Sequence, residues 1–131
     1  MINWNLGKEL AIEGFEEMVN EFAQEITYQI RNPKWQWPRE TRRQNGMIVG
    51  SPRDIVDTEE LKNSQFIEHI SDTDKIIGYT AEHAPYVHEG YQTERADGGI
   101  TDVPARPFIS AAVKDYNLLE SYADIMREKI S

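Results

Sequence analysis

The stretch FIEHISDTDKIIGYT (residues 66–80) carries two apolar, β-branched runs separated by a short polar segment. Phe66 to Ile70 and Lys75 to Thr80 read as strands, and Ser71-Asp72-Thr73-Asp74 reads as a four-residue hairpin loop. Working outward, Phe15, Met18, Val19, Phe22, Ile26 and Ile30 fall at helical spacing between Lys8 and Arg31. Glu9, Glu13, Glu17 and Glu21 mostly occupy the other face. This predicts an amphipathic helix of about six turns, stopped by Asn32-Pro33. On the far side, Phe108, Ala112, Tyr116, Leu119, Ala123, Met126 and Ile130 form a second helical stripe, opened by Pro107. Two long helices on a small antiparallel sheet make an α+β domain.

The connections are less regular. Residues 33–65 hold Pro33, Pro38 and Pro52, the Asn45-Gly46 turn signal and the short apolar run Met47-Ile48-Val49. They predict a long loop with at most one short strand, and a turn of helix near Asp57-Thr58-Glu59-Glu60-Leu61. Ala81 to Glu89 predicts a short helix whose start Pro85 limits, and Gly90 to Pro104 predicts a polar, mobile loop. The two extended loops, 33–55 and 90–104, are of the kind that order against a partner. A chain of 131 residues is one domain, 1–131, able to bury about two-thirds of its unfolded surface.

There is no cysteine, which excludes disulfides, Cys-based zinc sites, iron–sulfur clusters and thiol nucleophiles, and fits a reducing compartment. The net charge of −9 opposes coating of DNA, whose duplex carries about one charge per 1.7 Å. The charge is uneven. Arg31, Lys34, Arg39, Arg42, Arg43 and Arg53 against Glu40 make residues 31–53 about +5, leaving about −14 for the remainder. Trp35 and Trp37 lie inside that basic stretch, a pattern that fits an interface, a solvated loop with aromatic anchors, or single-strand nucleic-acid binding. The amino terminus does not read as a signal peptide, and no apolar run reaches the roughly 18 residues of a membrane span.

Catalytic signatures are missing from the sequence. His83 and His88 are five apart, which does not place two ligands on one helical face, and no HExxH occurs. Asp72-Thr73-Asp74 lacks the sixth-position glycine and twelfth-position glutamate of a calcium loop. Gly98-Gly99 has no phosphate-binding lysine, and no serine sits in a nucleophile elbow. A metal site from His83, His88 and Glu89 is the minor alternative to a hydrogen-bonded or exposed role for these residues. No catalytic residue, metal ligand or cofactor is therefore predicted, and an enzyme is not expected. The sequence invests in shape: in Val103-Pro104-Ala105-Arg106-Pro107-Phe108-Ile109, two prolines hold Arg106 extended ahead of a helix. Such an arginine suits a bidentate grip on a carboxylate, and Glu89 is the nearest candidate; simple surface exposure of Arg106 is the alternative.

At these residues the chain resembles a known family. APYVHEGY (84–91) and VPARPFISAA (103–112), about a dozen residues apart, are similar to the tail-completion family of tailed bacteriophages, also described as head–tail connector, neck or minor tail proteins. VDTEELKNS (56–64) is similar to the family's Asp-Thr-Gly-x-Leu-x-x-Ser segment, departing at Glu59, where glycine is usual. The resemblance covers about residues 37 to 131. It implies a virion structural protein of the neck or head-proximal tail, a ring and most often a hexamer. Such a ring joins the capsid connector to the tail tube, with other neck and tail proteins as partners. It is assembled in the host cytoplasm, takes no cofactor, has no membrane contact, and lets genomic DNA pass without specific binding. Its assembly residues would be Tyr86, Glu89, Arg106 and Phe108, holding the connecting loop, and Trp35, Trp37, Arg39, Arg42 and Arg43, reaching a neighbouring subunit or ring. A tail-terminator ring, a small nucleic-acid-binding protein using residues 31–53, and an acidic inhibitory module are the competing readings.

Overall fold

The computed structural model describes residues 4–37, 40–43, 46–55 and 59–131. It is α+β, with long helices at both ends and three separate two-stranded antiparallel sheets between them. Helix α1 (Trp4–Arg31) begins one turn earlier than the apolar stripe suggests and ends where Asn32 donates its N–H to the Tyr28 carbonyl. Next come β1 (Thr41–Arg42) and β2 (Ile48–Val49), a minimal hairpin, then α2 (Glu60–Asn63). Where the sequence predicts at most one short strand, there are therefore two. Thr41 pairs with Val49 and Arg42 with Ile48, so the Ile48-Val49 run recruits a second strand; Asn45 lies outside the described residues. The proposed cap of α2, Asp57-Thr58, lies outside the described residues. Glu59 precedes the helix at φ 65°, the left-handed region in which a side chain is strained.

Strands β3 (Gln65–Ser71) and β4 (Asp74–Tyr79) form the predicted hairpin, with Ser71 and Asp74 paired so that the loop is tighter than expected. Its inner face is tied to α1. The Gln65 amide donates to the Ala23 carbonyl and to the Tyr79 hydroxyl, both at 2.9 Å, and Lys75 meets Glu16 at 3.3 Å. Burial pushes the Tyr79 phenol up to about 12. A tyrosine that ionises near 10 in the unfolded chain and near 12 in the folded one favours the fold below pH 10. That contribution is lost as the pH rises through 10 to 12, amounting to about 1 kcal/mol after solvent screening of a half-buried group. Thermal unfolding at pH 9 and pH 11.5 should therefore show a smaller alkaline drop in Tyr79→Phe than in the parent. An equal drop would remove Tyr79 from the account.

Helix α3 (Ala84–Glu89) follows, with Pro85 in its first turn, where the missing donor costs nothing. The segment predicted as a mobile polar loop is instead a hairpin: β5 (Tyr91–Glu94) pairs with β6 (Ile100–Val103), Tyr91 opposite Val103 and Glu94 opposite Ile100. Gly98 at φ 83° and a hydrogen bond from the Gly99 N–H to the Asp97 carboxylate close its tip, a turn chemistry that the polar composition conceals. Gly90 joins α3 to this hairpin at φ 77° and ψ 169°, a conformation almost confined to glycine. A Cβ there would sit 2.7 Å from the Ala105 nitrogen and 2.8 Å from the Val103 oxygen. Gly90→Ala should cost about 2 kcal/mol or more and lower Tm by about 5–10 °C in a calorimetric scan; an unchanged Tm would mean that this junction relaxes freely.

The C-terminal stripe is broken into α4 (Phe108–Asp115) and α5 (Leu118–Ile130), not the single helix its spacing predicts. Asn117 accepts a hydrogen bond from the Glu120 N–H at 3.0 Å and so caps a new helix, while Tyr116 is extended. The break turns the Tyr116 hydroxyl to Glu21 (2.8 Å) and its ring against Phe22. It also leaves Leu119 80% exposed. Helix α5 lies along the first half of α1: Met126 and Tyr122 cross at Gly14, and Lys129 bridges Glu13 and Glu17. The core forms at the other end of α1, where Ile26, Ile30, Phe108, Ala112, Val87, Ile55 and Leu61 pack together.

Candidate assembly site

The two segments that carry the family resemblance fold into one unit. The Arg106 N–H donates to the Val87 carbonyl at 2.9 Å, and the Phe108 N–H donates to the Arg106 carbonyl at 2.8 Å. Phe108 is buried between Tyr79 and His88, edge-on to each at 5.3 Å. It is therefore a core residue that fixes the start of α4, and its part in holding the connection is internal. From this anchored backbone the Arg106 side chain extends across a cleft to the face of Trp37, 4.5 Å from the ring centroid.

Trp37 carries a second cation. Arg53 lies 4.8 Å from the same ring. Arg53 is nearly fully buried and acts as a brace: its Nε donates to the Gly50 carbonyl at 2.7 Å, and its other nitrogens reach the Val49 carbonyl and the Thr41 hydroxyl. Its backbone pairs with that of Trp35 at 2.8 and 2.9 Å, so residues 35 and 53 close the base of the β1–β2 hairpin. Arg43 is held by Asp54, with 2.8 Å to its carboxylate and 2.9 Å to its carbonyl. Arg42 sits on the exposed rim, and Tyr86 stacks edge-on with Tyr91 at 5.8 Å. Together with Trp37, Arg53 and Arg106 these residues line a cleft of about 690 Å³.

Five cations, Arg42, Arg43, Arg53, Lys62 and Arg106, line the cleft with two carboxylates, Glu59 and Glu60. Burial holds the Arg106 guanidinium below its ordinary value; Tyr91 opposes that, while Arg53 and Arg43 push the same way. Burial likewise lowers Arg53, with Arg43 adding to the effect and Asp54 opposing it. Among the described residues, Arg106 forms no ion pair and its Nε has no hydrogen-bond partner. The expected pairing of Arg106 with Glu89 is not made. Glu89 is exposed and its carboxylate meets His88 Nδ1 at 2.6 Å, because Arg106 reaches α3 through the Val87 carbonyl and then turns to Trp37. A planar guanidinium stacked on an indole keeps its donor edge available for an oxyanion, so the pocket is built to grip carboxylate or phosphate oxygens.

Of the residues singled out in the sequence, Trp37, Arg42, Arg43, Tyr86 and Arg106 come together here. Trp35 does not. It is 9% exposed within the hydrophobic core, and its indole N–H donates to the Gln29 carbonyl at 2.8 Å, so it anchors its own loop and does not reach outward. Arg39 lies outside the described residues. Arg53 and Tyr91 were not singled out by sequence reasoning. Tyr91 closes the APYVHEGY motif itself, and Arg53 stood in the basic stretch without a pattern to mark it as Trp35's strand partner. Among the described residues, no group of three or more His, Asp and Glu side chains is placed to hold a metal ion, and no helix is long and apolar enough to cross a membrane. Comparison of the chain with protein-family models, with curated proteins and with solved structures finds no match in any of the three.

Proposed function

We propose that this chain is a virion structural protein of a tailed phage. It forms a ring in the neck, most simply a hexamer, that joins the head connector to the tail tube. The observation that carries the reading is the union of the two motif segments through Arg106 and Val87, which presents one arginine at the mouth of an aromatic cleft. Shape and charge serve assembly in this reading. Copies meeting through unlike surfaces close into a ring when the rotation per copy permits. The overall charge of −9 suits a passage through which a duplex slides without adhering. Neighbouring neck and tail proteins dock on the ring's two ends, and the protein resides in the virion after assembly in the host cytoplasm. The test is a null allele in a phage carrying this gene, examined by negative-stain microscopy. Full heads and free tails that fail to join, restored by the gene in trans, are expected; joined and infectious particles without the polypeptide would end the proposal.

A further inference from the structure

The β5–β6 hairpin is an arm with little to lie on. All four residues of β5 are exposed, and among the described residues the strands pair only with each other. Pairing puts Gln92, Glu94, Ile100 and Asp102 on one face, and that face is exposed throughout, with Ile100 at 62%. It therefore offers one bare apolar side chain between two carboxylates. The single cation of the arm, Arg95, is folded back on the tip, 3.3 Å from Asp97 and within reach of the Ile100 carbonyl and the Thr101 hydroxyl. Ala96, Gly98 and Gly99 keep the tip narrow.

This face complements the cleft, where Trp37 and Tyr86 supply apolar surface, Arg42 and Arg106 supply donors, and the cations outnumber Glu59 and Glu60. The geometry points to a head-to-tail contact in which the β5–β6 arm of one copy lies in the arginine–tryptophan cleft of the next. Ile100 packs on the aromatic wall, and Glu94 and Asp102 meet the guanidinium edges. The inference rests on the ring reading above and deepens it by naming both halves of the repeating contact. Tyr91 of the arm lines its own cleft, but the arm's outer face is a different surface, so each copy keeps one face and one cleft free until a ring closes.

Two measurements on the full chain test this. First, sedimentation velocity over a concentration series compares the parent with Glu94→Lys/Asp102→Lys in the arm, with Arg42→Glu in the cleft, and with a mixture of the two variants. Each variant alone should associate at least tenfold more weakly, with association in the mixture recovering in part through the reversed pair. Second, because the chain has no cysteine, single-cysteine variants Gln92→Cys and Glu60→Cys can be oxidised separately and together. Disulfide-linked dimers should form in the mixed pool and not in either pool alone. Rings that persist in both charge variants, or Gln92→Cys pools that cross-link by themselves, would overturn the arm-in-cleft contact and leave the ring reading standing. A chain that stays monomeric at every concentration and gives no mixed cross-link would overturn both. A cleft that binds single-stranded oligonucleotide with steep salt dependence, unaffected by the arm variants, would assign its anion to phosphate and overturn the contact too.

Discussion

Phe108→Ala should lower the stability of the isolated chain by about 3–5 kcal/mol, a decrease of more than 10 °C in Tm. Phe108 is 1% exposed, and its ring touches both the β3–β4 hairpin, through Tyr79, and α3, through His88. Truncation removes the buried area of a whole aromatic ring and leaves a void that Ala112 and Ile26, already packed in the same core, are too constrained to fill. The loss is a large fraction of the 5–15 kcal/mol available to a domain of this kind, so the variant should also unfold at a lower urea midpoint with an unchanged slope. Leu119→Ala is the matched control. Leu119 belongs to the same sequence stripe, yet at 80% exposure its truncation should change stability by less than about 0.5 kcal/mol. Equal losses at the two positions would mean that the break between α4 and α5 is misplaced.

That pair of residues shows what the sequence could and could not reveal. The α1 stripe was legible because Phe22, Ile26 and Ile30 face one core along a helix that runs unbroken from Trp4 to Arg31. In the C-terminal stripe the apolar spacing alone predicts one helix, but the Asn117 side chain competes for the Glu120 N–H, and a local cap outweighs a periodic pattern at that point. The β3–β4 hairpin was legible from β-branched runs. The β5–β6 hairpin was not, because its strands carry Gln, Thr, Glu and Asp on surfaces that this chain leaves uncovered. For the candidate site, proline bracketing drew attention to Arg106, but finding its neighbour needed three dimensions. Proximity in sequence favoured Glu89, whereas the fold brings Trp37 from 69 positions away. The two tryptophans of the basic stretch were indistinguishable by composition and separated only by burial, Trp35 going to the core and Trp37 to the cleft.

Arg106→Ala separates folding from assembly most sharply. The substitution removes a stacking cation worth about 1–2 kcal/mol from Trp37, but it also removes a half-buried charge that Arg53 and Arg43 disfavour. Those effects oppose one another, and the Arg106 N–H bond to Val87 belongs to the backbone and survives. The monomer should stay folded, with Tm within about 4 °C of the parent by circular dichroism. Assembly should not survive. An arginine at the centre of an interface commonly contributes 2 kcal/mol or more, about thirtyfold in affinity, and a closed ring requires the contact at every junction. Arg106→Lys should recover less than half of that loss, since an ammonium keeps the charge but has neither the flat face that stacks on Trp37 nor the paired donors that grip a carboxylate. Light scattering of the purified variants, with head–tail joining scored in particles that carry them, distinguishes the outcomes. Arg106→Ala that joins heads to tails normally would exclude the cleft from assembly. Arg106→Ala that unfolds would make the arginine a structural support and shift the assembly contact away from it.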